Sequence, residues 1–269
     1  NLKSYSGAAT LLVGRDLNSY GDITSRKDLY IKSEGSITNR RNLKSYSGAA
    51  TLLVGRDLNN YGNVTSKGDM TLLVNRTLRN YSNNAARKAN IISGGNLIIA
   101  NQSGNRAGHI YNRWSNISAK KDMLLKANKI QNIGRDYASG ALKTRYISTG
   151  RRAHRSTVLS GYQKLTKSNI YTDYSNITAG GNMRIDARNL DNIGGKIYAN
   201  KNMKLVVNHI KNSHVRQYQT NLKSYYSWHH KYRKRGRTRN RGGSYSRNNR
   251  TVSYSSNNRS SIASRGDLF

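Results

Sequence analysis

Aliphatic residues recur along this chain at a fixed interval, with small, polar and charged residues between them. An Ile or Val is followed six positions later by Leu or Met, and the residue just before that Leu or Met is Asp or Asn. The segments are ITSRKDL (Ile23 to Leu29), ITNRRNL (Ile37 to Leu43), VTSKGDM (Val64 to Met70), IISGGNL (Ile91 to Leu97), ISAKKDM (Ile117 to Met123), ITAGGNM (Ile177 to Met183), IYANKNM (Ile197 to Met203) and IASRGDL (Ile262 to Leu268). A longer interval lies above this one. Ile177, Met183 and Leu190 recur 20 positions on as Ile197, Met203 and Ile210, and Ile117, Met123 and Ile130 precede the first set by 60, which reads as three units. NLKSYSGAATLLVGRDLN occurs at 1–18 and again at 42–59, close to two units apart. The repeat is therefore about 20 residues, with three apolar anchors at offsets near 0, 6 and 13.

A helix would show a 3.6-residue stripe, and helical repeats need about 33 residues or more, so neither fits. Three short strands joined by corners do fit. If successive units stack, equivalent strands pair in parallel at about 4.8 Å and the anchors fill a continuous core. The predicted fold is all-β, a parallel β-helix of roughly nine coils and about 40 Å. The Asp or Asn at each corner is expected to bond its own backbone and to tolerate the left-handed conformation, with Gly68, Gly95, Gly181 and Gly266 serving the same turn.

Two stretches break the rhythm, so the expected organisation is coils over 1–134, a basic insertion (loop or hairpin) over 135–174, coils over 175–213, a strongly basic insertion over 214–259, and the start of a further coil over 260–269. The pattern stops after Ile130 and after Ile210, 80 residues apart, so both insertions are expected to leave from one corner. The first contains GRRAHR (Gly150 to Arg155). The second, from His214 to Arg259, carries twelve Lys or Arg and no acid, interleaved with seven aromatic residues.

Composition sharpens this picture. The chain has no Pro and no Cys, one Phe, 19 Tyr and a formal net charge of +35. Missing Cys excludes a disulfide scaffold and thiolate metal sites. A strand paired on both sides has no place for a residue without an N–H, which suits the missing Pro. No apolar run approaches the roughly 18 residues of a membrane helix. The chain opens inside a repeat without a signal peptide, and so reads as a segment of a longer protein. Such a charge attracts polyanions: nucleic acid, anionic glycans or an acidic membrane surface.

The ITAGGNM, ISAKKDM and IASRGDL rungs, the IQNIG and LDNIGGKIYA corners and the basic, Tyr-rich excursions resemble the haemagglutinin repeats of filamentous haemagglutinin and of contact-dependent inhibition exoproteins. The resemblance implies a right-handed parallel β-helix, exported by two-partner secretion through an outer-membrane transporter. It implies display at the bacterial surface or release, with a role in adhesion. No secretion domain or toxin segment of that family is visible in these residues, so toxicity is not carried over.

Candidate chemistry is sparse. Asp28, Asp69, Asp122 and Asp267 stand where sister rungs carry Asn, which cannot act as a general acid or base, so no catalytic residue is expected. His229 and His230 are adjacent, near His209 and His214. Neighbours in a strand point to opposite faces and no carboxylate is close, so no metal site is expected. Neither a phosphate loop nor a dinucleotide fingerprint is present, so no cofactor and no small-molecule substrate is expected. Arg265, Gly266 and Asp267 spell an integrin-type triplet, although Lys67 to Asp69 shows that the rung itself calls for Gly-Asp here. Arg233, Lys234, Arg235, Arg237, Arg239 and Arg241, with Trp228 and Tyr232, combine the cations and aromatic planes that capture polyanions. Anionic glycans or membrane surfaces are the expected partners, and nucleic acid is the alternative. A passive spacer in a toxin-delivery protein is the remaining reading.

Overall fold

Runs of Ile, Leu, Val and Thr three to five residues long form strands because branched side chains pack well on a pleated surface. Each run ends where small and polar residues turn the chain. The computed structural model describes all residues except 83–87, 140–155, 162–168, 214–215, 235–236 and 256–259. For 135–139, 156–161, 169–173, 216–234 and 237–255 the backbone alone is described. The chain divides into two units, the first made of Asn1–Arg135, Thr172–Val215 and Asn257–Phe269, the second of Asp136–Tyr171 and Arg216–Ser256.

The first unit is a parallel β-helix with three faces. Face one is a nine-stranded parallel sheet running from Leu2–Ser4 to Ser261–Ser264, one strand per coil. Face two begins at Ala9–Val13 and face three at Leu17–Ser19. These two faces merge into one sheet because Met123–Ile133, Met183–Ile193 and Met203–Ser213 run unbroken through the corner between them.

Register follows the anchors. Ile177 pairs with Ile197, Met183 with Met203 and Leu190 with Ile210. Inside face one, Ile23, Leu43, Val64, Ile91, Ile117, Ile177 and Ile197 form a buried column. Burying each such side chain contributes about 1.5–3 kcal/mol. Ile210 departs from this, being 51% exposed although it continues the Leu190 column.

The spacing of 60 is corrected by the register. Ile117 pairs directly with Ile177, so the two belong to adjacent coils, and the intervening residues are one coil's worth plus an excursion. Both excursions leave after a face-three strand, at Ile133 and Ser213, and return before a face-one strand, at Ser175 and Ser261. A shorter insertion between Tyr81 and Asn90 uses the same corner.

The corner Asp and Asn do something other than expected. Among the described residues the only positive φ angles belong to Trp114, Gly104 and Gly194, so left-handed turns are not their role. Asp28, Asp69, Asn96, Asp122, Asn182 and Asn202 instead accept a hydrogen bond from a main-chain N–H of the next coil, whereas Asn42 accepts from the Asn63 side-chain amide. The Asp28 carboxylate accepts from Ala49 at 2.7 Å, Asp69 from Asn96 at 2.7 Å, Asp122 from Asn182 at 2.7 Å and Asn202 from Asp267 at 3.0 Å. Either residue type supplies the Oδ1 acceptor, which is why they interchange. Glycine follows for the same reason, since a Cβ at Gly95 or Gly181 would collide with Oδ1 of Asp69 or Asp122 on the coil before.

Candidate functional site: the charged corner and the basic hairpin

The strongest constraint on the surface begins inside. At the corner between faces three and one, Asn39, Asn60, Asn80, Asn112, Asn132 and Asn192 are fully buried. Their side-chain amides form a ladder. Each Nδ2 donates to the next Oδ1, with Asn39 to Asn60 at 2.8 Å, Asn60 to Asn80 at 2.8 Å, Asn80 to Asn112 at 2.9 Å, Asn112 to Asn132 at 2.8 Å and Asn132 to Asn192 at 2.9 Å. Asn192 continues it to Asn212 at 2.9 Å. The remaining N–H bonds go to turn carbonyls, as from Asn132 to Ser175 at 2.9 Å, so the ladder pins the chain where it leaves face three. A buried amide is tolerable because its polar groups are satisfied.

The signal for this ladder was present in the sequence as a third anchor followed two positions later by Asn: ITN, LNN, LRN, IYN, IQN, LDN and IKN. The aliphatic anchors alone do not reveal it.

With the turn fixed, the residues that follow each ladder position are held at equivalent sites on the outside. In the first five coils these are Arg40, Tyr61, Tyr81, Arg113 and Trp114, preceded by Tyr20, which follows the buried Ser19 at the equivalent corner of the first coil. The Arg40 guanidinium lies 5.4 Å from the ring centroids of both Tyr20 and Tyr61. Tyr61 meets Tyr81 edge to face at 6.1 Å and 85°. Tyr81 and Trp114 stack at 6.2 Å and 30°, and the Arg113 guanidinium sits over both, 5.4 Å from Tyr81 and 4.3 Å from Trp114. Further along, the Lys196 ammonium lies 4.1 Å from the ring of Tyr174. Cation–π contacts of this kind contribute about 0.5–1 kcal/mol each at exposed sites. The stripe went unread because the residue types change from coil to coil.

Trp114 is held at φ 53°, in the left-handed region, where the matching turn of a later coil carries Gly194 at φ 63°. A bulky residue there is strained by about 1–2 kcal/mol.

On the outer side of face three, His109 pairs in register with Thr77 and Lys129. Its Nε2 is buried without a hydrogen-bond partner, and its ring packs 5.7 Å from Tyr111. Burial first, then the positive charges of Lys129 and Arg79, hold its pKa below the ordinary 6.5. The folded state therefore binds the proton less readily than the unfolded chain. Stability is complete above the ordinary histidine value and is lost as pH falls through it towards the folded value. His109→Gln should flatten that acid limb of a urea-midpoint versus pH curve below the ordinary histidine value.

The Arg-Gly-Asp triplet occupies an ordinary corner. Arg265, Gly266 and Asp267 are exposed, and their amides donate to the Ala199 carbonyl, the Lys201 carbonyl and Asn202 Oδ1 respectively.

In the second unit, Arg216–Lys234 and Arg237–Ser255 form a long antiparallel hairpin, and Ser156–Gly161 pairs with its first strand. Trp228, Tyr232, Arg233, Lys234, Arg237, Arg239 and Arg241 lie on these strands, whereas Arg235 lies outside the described residues, as do His214 and the Gly150 to Arg155 stretch. Main-chain pairs join Lys234 with Arg237, Arg233 with Thr238, Tyr232 with Arg239 and His230 with Arg241. His229 pairs with Gly242. No group of three metal-ligating residues exists among the described residues.

Comparison with known proteins agrees with this architecture. The haemagglutinin repeat family matches residues 6–127, 82–151 and 173–224. The chain belongs to the haemagglutinin repeat family. No curated protein and no solved structure matches it. Haemagglutinin repeats are structural and adhesive rather than typically enzymatic, which makes this segment part of the shaft of a secreted or cell-surface exoprotein.

Proposed function

We propose that this haemagglutinin-repeat shaft, exported through a partner outer-membrane transporter, attaches to anionic glycans or acidic membrane surfaces on host or neighbouring bacterial cells through its basic hairpin. One observation carries the reading. The hairpin register gathers Lys231, Arg233, Lys234, Arg237, Arg239 and Arg241 into the five main-chain pairs nearest its turn, in a stretch from 214 to 259 without a single acid.

Cations packed along roughly 17 Å of hairpin have two ways to relieve their mutual repulsion. They can hold mobile counterions, or they can exchange them for a multivalent polyanion, and the entropy of release favours the second. The coils supply stiffness and the hairpin supplies contact. Affinity built from many weak charge contacts falls steeply with salt.

The test titrates a heparin-like glycan, anionic vesicles and duplex DNA against the wild-type chain and a variant with the Lys and Arg of 231–241 changed to Gln. Glycan or vesicle binding should weaken by about tenfold or more in the variant near 0.15 M salt, with a shallower salt slope. Absence of glycan and vesicle binding in wild type overturns the reading. A clear preference for DNA replaces it with nucleic-acid capture, and unchanged cell adhesion after deletion of both excursions reduces the segment to a spacer.

A further inference from the structure

We propose that the stripe of Tyr20, Arg40, Tyr61, Tyr81, Arg113 and Trp114 is a track for a linear acidic polysaccharide lying along the shaft axis. This site belongs to the coils themselves and does not depend on the hairpin reading.

Its geometry matches an extended sugar chain. The six residues occupy five successive corners, so the track is roughly 20 Å long with a contact about every 4.8 Å. A pyranose in an extended chain advances by a similar distance, so successive sugars would meet successive coils. Tyr20 is 69% exposed and Tyr61 37% exposed, leaving ring surface for the C–H faces of sugars. The guanidiniums of Arg40 and Arg113 stand between the rings and carry forked donors that match carboxylate or sulfate.

Two features separate a ligand track from ordinary surface decoration. The first is Trp114, whose φ of 53° places an indole in a backbone conformation that a glycine would adopt without strain. Strain of this kind persists where the ring's position is useful. The second is continuity, because the buried amide ladder holds the four corners from Arg40 to Trp114 at one spacing and gives that part of the track its rigidity.

Sugars fit better than single-stranded nucleic acid. Tyr61 and Tyr81 meet at 85°, and the more nearly parallel pair of Tyr81 and Trp114 is already covered by Arg113, so neither pair offers a slot between open parallel ring faces for a base. A sugar needs one ring face and a few donors.

The chain contains two Trp, so Trp228→Phe leaves Trp114 as the only indole reporter. With that variant, oligogalacturonates of increasing length should shift Trp114 emission, and affinity should rise with length until the track is filled. Tyr61→Ala and Arg40→Gln in this background should each weaken binding by about tenfold. Trp114→Gly in the otherwise unaltered chain, followed by calorimetry, should lose affinity while its melting temperature stays level or rises, which separates lost contact from lost fold. The hairpin-neutralised chain should keep the Trp114 response. No emission change with any acidic oligosaccharide overturns the proposal, as does an equal response to oligothymidylate, or loss of the response on hairpin neutralisation alone.

Discussion

Replacing Asn132 with Ala lowers the stability of the shaft by about 3–5 kcal/mol. Asn132 is fully buried. It accepts from Asn112 at 2.8 Å and donates to Asn192 at 2.9 Å, to the Ser175 carbonyl at 2.9 Å and to the Lys196 carbonyl at 3.3 Å. Truncation leaves those acceptors facing a small void with no water route, and each unsatisfied buried group costs about 1–3 kcal/mol. Asn132→Asp keeps an acceptor but substitutes a charge for the donor. It is at least as damaging at neutral pH, with partial recovery in acid as the carboxyl protonates. Asn189→Ala, at an exposed position of the same sheet, should change stability by less than about 0.5 kcal/mol. Urea unfolding gives the difference, and hydrogen exchange should show protection lost first around the corner from Asn112 to Asn192. Equal midpoints for the Asn132 and Asn189 variants would mean the amide ladder contributes nothing specific.

Gly55→Ala should cost about 3 kcal/mol, at the top of the usual range for overpacking. A Cβ there would lie within 2.7 Å of the Glu34 carbonyl carbon and closer still to its oxygen. Both belong to the main chain of the coil below, so no side chain can swing aside. Relief requires the coils to part, stretching the 2.9 Å bond from Gly55 N–H to Ser33 O and the 3.0 Å bond from Arg56 N–H to Gly35 O. Gly14→Ala is the matched control, because nothing lies within 4 Å of a Cβ at that position. A difference in unfolding free energy of less than about 1 kcal/mol between the two variants would show that the stack yields more easily than its hydrogen-bonded registry implies.

The parts legible in the sequence were those that repeat in kind. Ile177 and Ile197 could be matched by eye because every coil asks the same question at that position: which side chain fills a dry interior at fixed spacing. The corner Asp and Asn were found for the same reason. Their role was misread because a single coil contains only the acceptor, and its donor, such as Ala49 N–H for Asp28, arrives from the next coil. The stripe was illegible because Tyr, Arg and Trp alternate in it, and because the step from Tyr81 to Trp114 is 33 residues rather than about 20, which hides their common register. The excursions were recognised by composition. That Ser156–Gly161 joins the long hairpin in one sheet depends on pairing between segments about 70 residues apart, which no local pattern records.

The eighteen residues that occur twice show where the division falls. From sequence alone, both copies of NLKSYSGAATLLVGRDLN must form the same strands, and they do: Ala9–Val13 and Ala50–Val54 are equivalent face-two strands. Local propensity, alternation and turn chemistry are properties of the string, so identical strings fold alike. Their environments differ all the same. Leu43 is fully buried where Leu2 is 55% exposed, and Gly55 is pressed against a neighbouring carbonyl where Gly14 is unobstructed. Stacking decides this, because burial, close approach and the amide ladder each require a second coil at 4.8 Å or so, and one coil's letters cannot say what lies above or below it.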